Sequence, residues 1–392
     1  MQKKRYSVLD ALRGFALLGI ILANFPEFSL WTFSDPSSWT RSDRIVRAIQ
    51  TFVVDGKFYT LFSLLFGMGF SIQLSNAGGK LTVFYRRMAV LLVIGLLHIC
   101  FLWSGDILVL YALCGMLLPA FRRLSTRGLL AVSAALLAFP VLLDSLSFTA
   151  MADLLEKEQW RICGIYGITE SNFGTWLADA RSYRQVLQFL HQGFVERIWE
   201  FAVGHRFFKV LGLFLIGFAA GKERVYADLD ANAPLMRRVA AMGFALGIPA
   251  GVLYTWSAMC AHPWGAAVHS LLYMLSVYPA GLAYAASFAL LFRRSPGAGI
   301  WKMLSAPGRM ACTNYLSQSV VGIVLFYGIG LGLGCRMGLL ATELAAAAVY
   351  AVQIVFSSVW MRHFRFGPVE WVWRMLTYWE RLPLRRSDSV AS

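Results

Sequence analysis

The stretch 95-GLLHICFLWSGDILVLYALCG-115 sets a histidine in the middle of an apolar run, puts Gly105-Asp106 at its end, and returns at once to apolar sequence. A bilayer crossing needs about 20 mostly apolar residues. The stretch therefore reads as two successive membrane spans joined by a tight polar turn. Runs of this kind recur from end to end, roughly at 14–30, 58–75, 88–104, 107–120, 128–147, 207–221, 239–258, 266–292, 310–332 and 338–361. With 58% hydrophobic and 15% charged residues over 392 positions, the chain is too apolar for a soluble domain of this length. An all-α polytopic membrane protein with about ten transmembrane helices is expected. The first run, 14-GFALLGIILANFPEF-28, follows a basic start as a signal peptide would, but no small-residue cleavage site follows it, so it is expected to be a retained helix.

A net charge of +15 raises the question of a nucleic-acid partner, and the positions of the charges answer it. Lys3, Lys4 and Arg5 precede the first run, Lys80, Arg86 and Arg87 lie between the second and third, and Arg122, Arg123 and Arg127 lie between the fourth and fifth. The alternation continues through Lys222 and Arg237, Arg293 and Arg309, to Arg385 and Arg386. The intervening loops are poorer in Lys and Arg, so the charge reads as a positive-inside signal that puts both termini in the cytoplasm. No nucleic-acid partner is expected. Six cysteines show no metal-like spacing; Cys163, Cys260 and Cys335 fall at or beyond the outer face, where nothing in the sequence chooses a disulfide among them.

Three regions follow: an N-terminal five-helix membrane half (1–147), an extracytoplasmic segment (148–206) and a C-terminal five-helix half with a basic tail (207–392). From about Ser182 the segment carries Val186, Leu187, Leu190, Phe194 and Ile198 at helical spacing, which predicts an amphipathic helix on the outer surface, either a lid or a connector. Two five-helix halves would suit inverted repeats, but no convincing similarity links them.

Ionisable groups inside a bilayer cost roughly 2.5–3.5 kcal/mol on insertion scales, which makes them candidates for function. Eleven residues after Arg87, about 16 Å along a helix, His98 is expected near the midplane. Asp106 falls at the outer interface. Eight residues of unbroken helix would set the two about 12 Å apart and about 80° around, so they meet only if Gly105 breaks the helix and folds Asp106 back. Otherwise His98 bonds a neighbouring helix and Asp106 caps the next span. Asn24 is expected at the depth of His98, followed by Pro26 and Glu27, which should disturb the first helix there. Asp55, Lys57 and Tyr59 stand at the outer entrance of the second span, where an Asp–Lys pair would be worth little. Asn314 and Gln318 share a helix face and fit either substrate binding or interhelical amide bonds. On the cytoplasmic side Asp10 and Arg13 sit one turn apart; Arg86 and Arg87 suit an anionic cofactor but also serve as topology determinants. Nucleotide-hydrolysis loops, nucleophile elbows and zinc-protease motifs are absent from the sequence, and no histidine trio has ligand spacing.

The segments 8-VLDALRGFALLGIILANF-25, 56-GKFYTLFSLLFGMGF-70, 86-RRMAVLLVIGLLHICFLWSGDILVLYALCG-115, 212-GLFLIGFAAGKER-224, 308-GRMACTNYLSQS-319 and 367-GPVEWVWRMLTYW-379 together resemble the YeiB-like family of bacterial inner-membrane proteins, a domain of unknown function. That family is similar in turn to the membrane acyltransferase superfamily, which includes heparan-alpha-glucosaminide N-acetyltransferases and bacterial sugar O-acyltransferases. The resemblance implies acyl transfer across the bilayer, from cytoplasmic acyl-CoA as co-substrate, with no permanently bound cofactor, to an envelope-glycan or small-molecule acceptor outside. His98 would then be the base, held by Asp106 or Glu27, with Asn24 or Asn314 donating to the oxyanion and Arg13, Arg86 and Arg87 binding CoA phosphates. One departure stands out: those enzymes place a histidine in or just after the first helix, and this chain has none before His98. A transporter for a small molecule, with His98 and Glu27 as proton carriers, is the alternative; a non-catalytic envelope partner ranks third. The bilayer is a partner in every case, and the oligomeric state stays open.

Overall fold

The structure, a computed structural model, describes residues 6–76, 81–146 and 150–386, so Lys3, Lys4, Arg5, Lys80 and the boundary at 147–149 lie outside the described residues. The described chain is helical, with no strand beyond a single bridge between Phe364 and Arg385. In order the helices are α1 (Ser7–Phe28), α2 (Arg41–Val53), α3 (Lys57–Asn76), α4 (Thr82–Phe101), α5 (Leu108–Leu117), α6 (Thr126–Ser145), α7 (Ala150–Tyr166) and α8 (Glu170–Phe173). There follow α9 (Tyr183–Ala202), α10 (Arg206–Lys222), α11 (Ala233–Met259), α12 (Gly265–Arg294), α13 (Gly299–Arg309), α14 (Ala311–Phe326), α15 (Leu339–His363) and α16 (Pro368–Tyr378).

Each of the ten apolar runs coincides with a helix, but among the described residues seven helical stretches are long and apolar enough to cross a membrane. An eighth arises if α9 and α10, bent by 57°, count as one broken span, while α5 and α14 are apolar but short. The chain is a helical membrane protein. The run expected at 310–332 stops at Phe326 because four glycines in 328-GIGLGLG-334 fold the chain into a loop, with Gly332 at φ +62°. Apolar composition hid that turn.

The expected disturbance of the first helix does not occur. Pro26 lies within an unbroken α1, and the carbonyl it deprives of an intrahelical partner is that of Leu22, four residues back. Gln50 of α2 supplies the missing bond, its Nε2 donating to that carbonyl at 3.0 Å. A polar side chain brought in by a neighbouring helix thus keeps the backbone satisfied away from water. The Thr40–Asp43 capping box starts α2, and Gly56, at φ +70°, turns it into α3.

Lipid is as apolar as the side chains, so helix association in a membrane relies on close backbone approach through small residues. The α1–α13 contact shows this from both sides. A Cβ on Gly14 would stand 1.9 Å from the Leu304 carbonyl oxygen, and one on Gly308 would stand 1.9 Å from that of Asp10. Gly67 and Gly217 bring α3 and α10 together in the same way. Helices before and after the long segment interleave: α1 packs on α13, α14 and α15, and α3 packs on α10 and α12. The helix expected after Ser182 is α9, with its buried face at Val186, Phe189, Leu190, Gly193 and Arg197, while Ile198 is exposed. All six cysteines are free thiols, Cys163 buried and Cys260 and Cys335 exposed.

Substituting Gly14 or Gly308 by Leu is expected to separate α1 from α13 and to cost roughly 1–3 kcal/mol or more, the usual range for overpacking. Thermal melting of the detergent-solubilised protein should fall for both, whereas Gly164→Ala, which would meet nothing within 4 Å, should melt as the parent does.

Candidate functional site

His98 and Asp106 are in contact. The α4 helix ends at Phe101, where the carbonyl of His98 accepts the N–H of both Leu102 (2.8 Å) and Trp103 (2.9 Å). The chain then turns through 102–107 and returns Asp106 to the ring, Oδ1 lying 2.9 Å from His98 Nδ1. Asp106 Oδ2 accepts the Val109 N–H at 2.7 Å, so one carboxylate both caps the start of α5 and holds the imidazole. Gly105 serves this turn through room, not through a left-handed angle: a Cβ there would stand 2.0 Å from the Trp103 indole.

The other ring nitrogen finds a residue that the sequence pattern does not single out. His98 Nε2 lies 2.8 Å from the hydroxyl of Ser319, on α14. His98, Asp106 and Ser319 are each no more than 1% exposed. In the neutral imidazole, a hydrogen on Nδ1 facing the carboxylate leaves Nε2 as acceptor and the Ser319 hydroxyl as donor. Serine, histidine and aspartate are thus chained in the order that activates a hydroxyl. A signal does lie in the sequence: Ser319 follows Tyr315 by one helical turn on the face α14 turns inward.

A cavity of about 560 Å³ opens from the end of the bundle that carries Arg13, Arg87, Arg309 and Arg374. Its deeper walls are apolar, with Leu17, Phe62, Phe66, Met88 and Leu91, and it ends at Ile107, Leu108, Tyr111 and Tyr315. The volume falls in the common range for ligand sites, roughly 300–1,000 Å³. Three wall-forming faces run on past that end. On α4, Phe84, Arg87 and Leu91 lead to His98; on α14, Ala311 and Tyr315 lead to Ser319; on α1, Arg13, Leu17 and Ile20 lead to Asn24 and Glu27. The Tyr315 ring lies between, its centroid 5.3 Å from that of His98. Its hydroxyl donates to the Gly105 carbonyl at 3.4 Å and accepts the Ile107 N–H at 3.3 Å.

The two adjacent arginines part company. Arg87 lines the cavity with its guanidinium 4.6 Å from the centroid of Trp373, whereas Arg86 turns to α16, donating to the Thr377 carbonyl at 3.2 Å. Arg13 pairs with Asp10 at 3.0 Å. Glu370, on α16, accepts the N–H groups of Cys312 (2.7 Å) and Thr313 (3.1 Å) and the Thr313 hydroxyl (2.6 Å), so it caps α14. Burial pushes its carboxyl above the usual range, against those bonds, which pull it down.

At the opposite end, α9 lies over the 102–107 turn. Arg197 Nε donates to the Ser104 carbonyl at 2.6 Å, Gly193 packs on Ser104, and the Tyr183 hydroxyl reaches the Phe101 carbonyl. Glu27 sits beside the Trp103 indole, within electrostatic reach of Arg197, Glu200 and Arg206. Asn24 is half-buried, and no hydrogen bond joins it to His98. Asp55, Lys57 and Tyr59 form a separate group. Asp55 accepts from the Tyr254 hydroxyl (2.7 Å), Lys57 donates to the Thr51 carbonyl (2.9 Å), and the buried Tyr59 hydroxyl has no partner among the described residues. Asn314 bonds Ser357 at 3.0 Å and Gln318 bonds Gln353 at 3.0 Å, an amide and hydroxyl network between α14 and α15.

Asp106→Ala would leave the Val109 N–H and the His98 Nδ1–H buried without acceptors, and should cost roughly 3 kcal/mol or more. Asp106→Asn keeps an acceptor oxygen and should cost less; melting curves of the two variants side by side check the order.

Comparison with known proteins places the chain. It is 31% identical, over its whole length and 98% of the relative, to the "Uncharacterized protein YxaH" of Bacillus subtilis (strain 168). It is 28% identical to the "Uncharacterized protein YeiB" of Escherichia coli (strain K12), with 95% of this chain and 96% of the relative covered. An "Uncharacterized 39.9 kDa protein in amylase 3'region" of Bacillus acidopullulyticus is also 28% identical, over 97% of this chain and 96% of the relative. No solved structure matches. The family model described as "Protein of unknown function (DUF418)" matches residues 220–380. With a full-length relative above 30% identity and that model over the C-terminal helices, the chain belongs to the YeiB-like, DUF418 family.

Proposed function

We propose that this protein is an acyltransferase of the bacterial inner membrane that moves an acyl group from cytoplasmic acyl-CoA to an envelope-glycan or small-molecule acceptor outside. About ten helices would cross the bilayer, with both termini in the cytoplasm; Arg13, Arg87, Arg309 and Arg374 at the cavity mouth support that orientation.

One observation carries the reading: a cavity with a basic mouth and an apolar interior ends at Tyr315, whose ring stands between it and a histidine oriented by a carboxylate. Of the two carboxylates in the mouth, Asp10 pairs with Arg13 and Glu370 caps α14, so the arginines outnumber the acids. An acyl thioester with a phosphorylated head matches this division, its phosphates at the mouth and its chain inside. His98 Nε2 accepts a proton as the thioester is attacked, and Asp106 keeps the ring in the tautomer that can do so. The cavity has no counterpart to a CoA role for Arg86, which is engaged with α16.

Transport is the second reading, favoured by Glu27 and its arginine neighbours, which extend the line of ionisable groups beyond His98. It calls for flux that depends on a proton gradient and consumes no acyl-CoA.

Calorimetry of acetyl-CoA and longer acyl-CoAs with the protein in nanodiscs separates the two. Saturable binding is expected, weakened about 10-fold or more by Arg87→Ala, since hydrogen bonds to charged groups are worth roughly 1.5–3 kcal/mol. Arg86→Ala and His98→Ala should bind as the parent does. Absence of binding to every acyl-CoA would move the reading to transport.

A further inference from the structure

Helical serines and threonines in this protein commonly give their hydroxyl hydrogen to the carbonyl one turn back: Thr60 to Gly56, Ser145 to Val141, Thr377 to Trp373, all at 2.7–2.8 Å. That local bond is the ordinary fate of a helix hydroxyl. Ser63, Ser133 and Ser257 instead reach across to Tyr111, the Gly212 carbonyl and His269 on neighbouring helices, and Ser319 likewise turns its hydroxyl to another helix, at His98 Nε2. A single interhelical bond would hold α4 to α14 without further help. Here the imidazole is also fixed from behind by Asp106, and Asp106 by the Val109 N–H, so the orientation of the ring is set independently of the serine. Ser319 sits one turn beyond the residue that closes a cavity suited to an acyl chain.

From this geometry we infer that Ser319 is the nucleophile, and that acyl transfer runs through an acyl-serine intermediate. The inference rests on the acyl-thioester reading of the cavity and adds a covalent step to it. Ser319 Oγ attacks the thioester carbonyl, its proton passing to His98 Nε2. The C–S bond breaks, and the thiolate leaves with that proton as the free thiol. In the second half an acceptor hydroxyl or amine attacks the ester, giving its proton to His98; the C–Oγ bond breaks and the proton returns to Ser319. Tyr315 is the wall the acyl group must pass, and movement of its ring about Cα–Cβ would join the cavity to the serine.

The test uses the full chain in nanodiscs and two reagents. An alkyl fluorophosphonate reports a base-activated serine whatever the natural donor; a radiolabelled long-chain acyl-CoA reports the acyl-enzyme itself, with peptide mass mapping for both. Phosphonylation of Ser319 is expected, lost in Ser319→Ala, slowed about 100-fold or more in His98→Gln, and faster in Tyr315→Ala, where the wall is removed. Acyl-CoA should leave an ester on the same peptide, and in Ser319→Cys a hydroxylamine-sensitive thioester. Phosphonylation without acylation would retain the nucleophile and overturn the acyl-CoA reading. Saturable acyl-CoA binding with no adduct from either reagent, in the parent or in Tyr315→Ala, would retain the reading and overturn the nucleophile. Labelling equally fast in His98→Gln would overturn it too.

Discussion

The centre of this molecule depends on where one helix stops. Were α4 to continue beyond Phe101, Asp106 would be carried about 12 Å along the axis from His98, and the imidazole would lack the partner that fixes its tautomer. Termination at Phe101 brings the carboxylate back at 2.9 Å. The other oxygen of that carboxylate begins α5 through the Val109 N–H, so forming the turn and orienting the histidine are one event. Two buried polar groups that would each be costly alone satisfy one another.

Around that turn the helices are arranged as converging walls. The inward faces of α4 and α14 lead past the cavity to His98 and Ser319, which meet at 2.8 Å, and that of α1 leads past Leu17 and Ile20 to Asn24. Backbone contacts at Gly14 and Gly308 hold α1 against α13, and Glu370 holds α14 to α16 by its N-terminal amides. Through this second attachment the position of Ser319 depends on a carboxylate on the last helix. Beyond the turn, α9 covers it, bonding its backbone through Arg197 and packing Gly193 on Ser104.

Much of the fold is legible in the sequence because a run of about 20 apolar residues matches the thickness of a bilayer and is hard to bury in any other way. Helices form at all ten runs, and the segment after Ser182 forms its amphipathic helix. What escapes is contact across sequence distance. His98 is conspicuous as a lone histidine in an apolar run; Ser319, 221 residues away, is not, since a serine in a membrane helix ordinarily satisfies itself. The spacing of His98 and Asp106 forbids contact only if the helix is continuous, and Gly105 is the one helix-stop signal between them. Pro26 suggests a broken helix because Gln50, which repairs it, belongs to a helix too short to register as a span. Lys57 reads as an interfacial charge and is in fact buried against the Thr51 carbonyl.

The links that reach His98 differ in what holds them to length. Its bond to Asp106 is closed by eight residues of contiguous chain, whereas its bond to Ser319 is closed by the packing of separate helices. Insertion or deletion of a single residue between 99 and 105 would rotate the returning carboxylate off the ring, so that interval is a fixed gauge. The surface turns at 223–232 and 295–298, far from these contacts, can lengthen or shorten without disturbing it. Length variation within this architecture is therefore confined by chemistry at one hairpin and left open at the loops of the others.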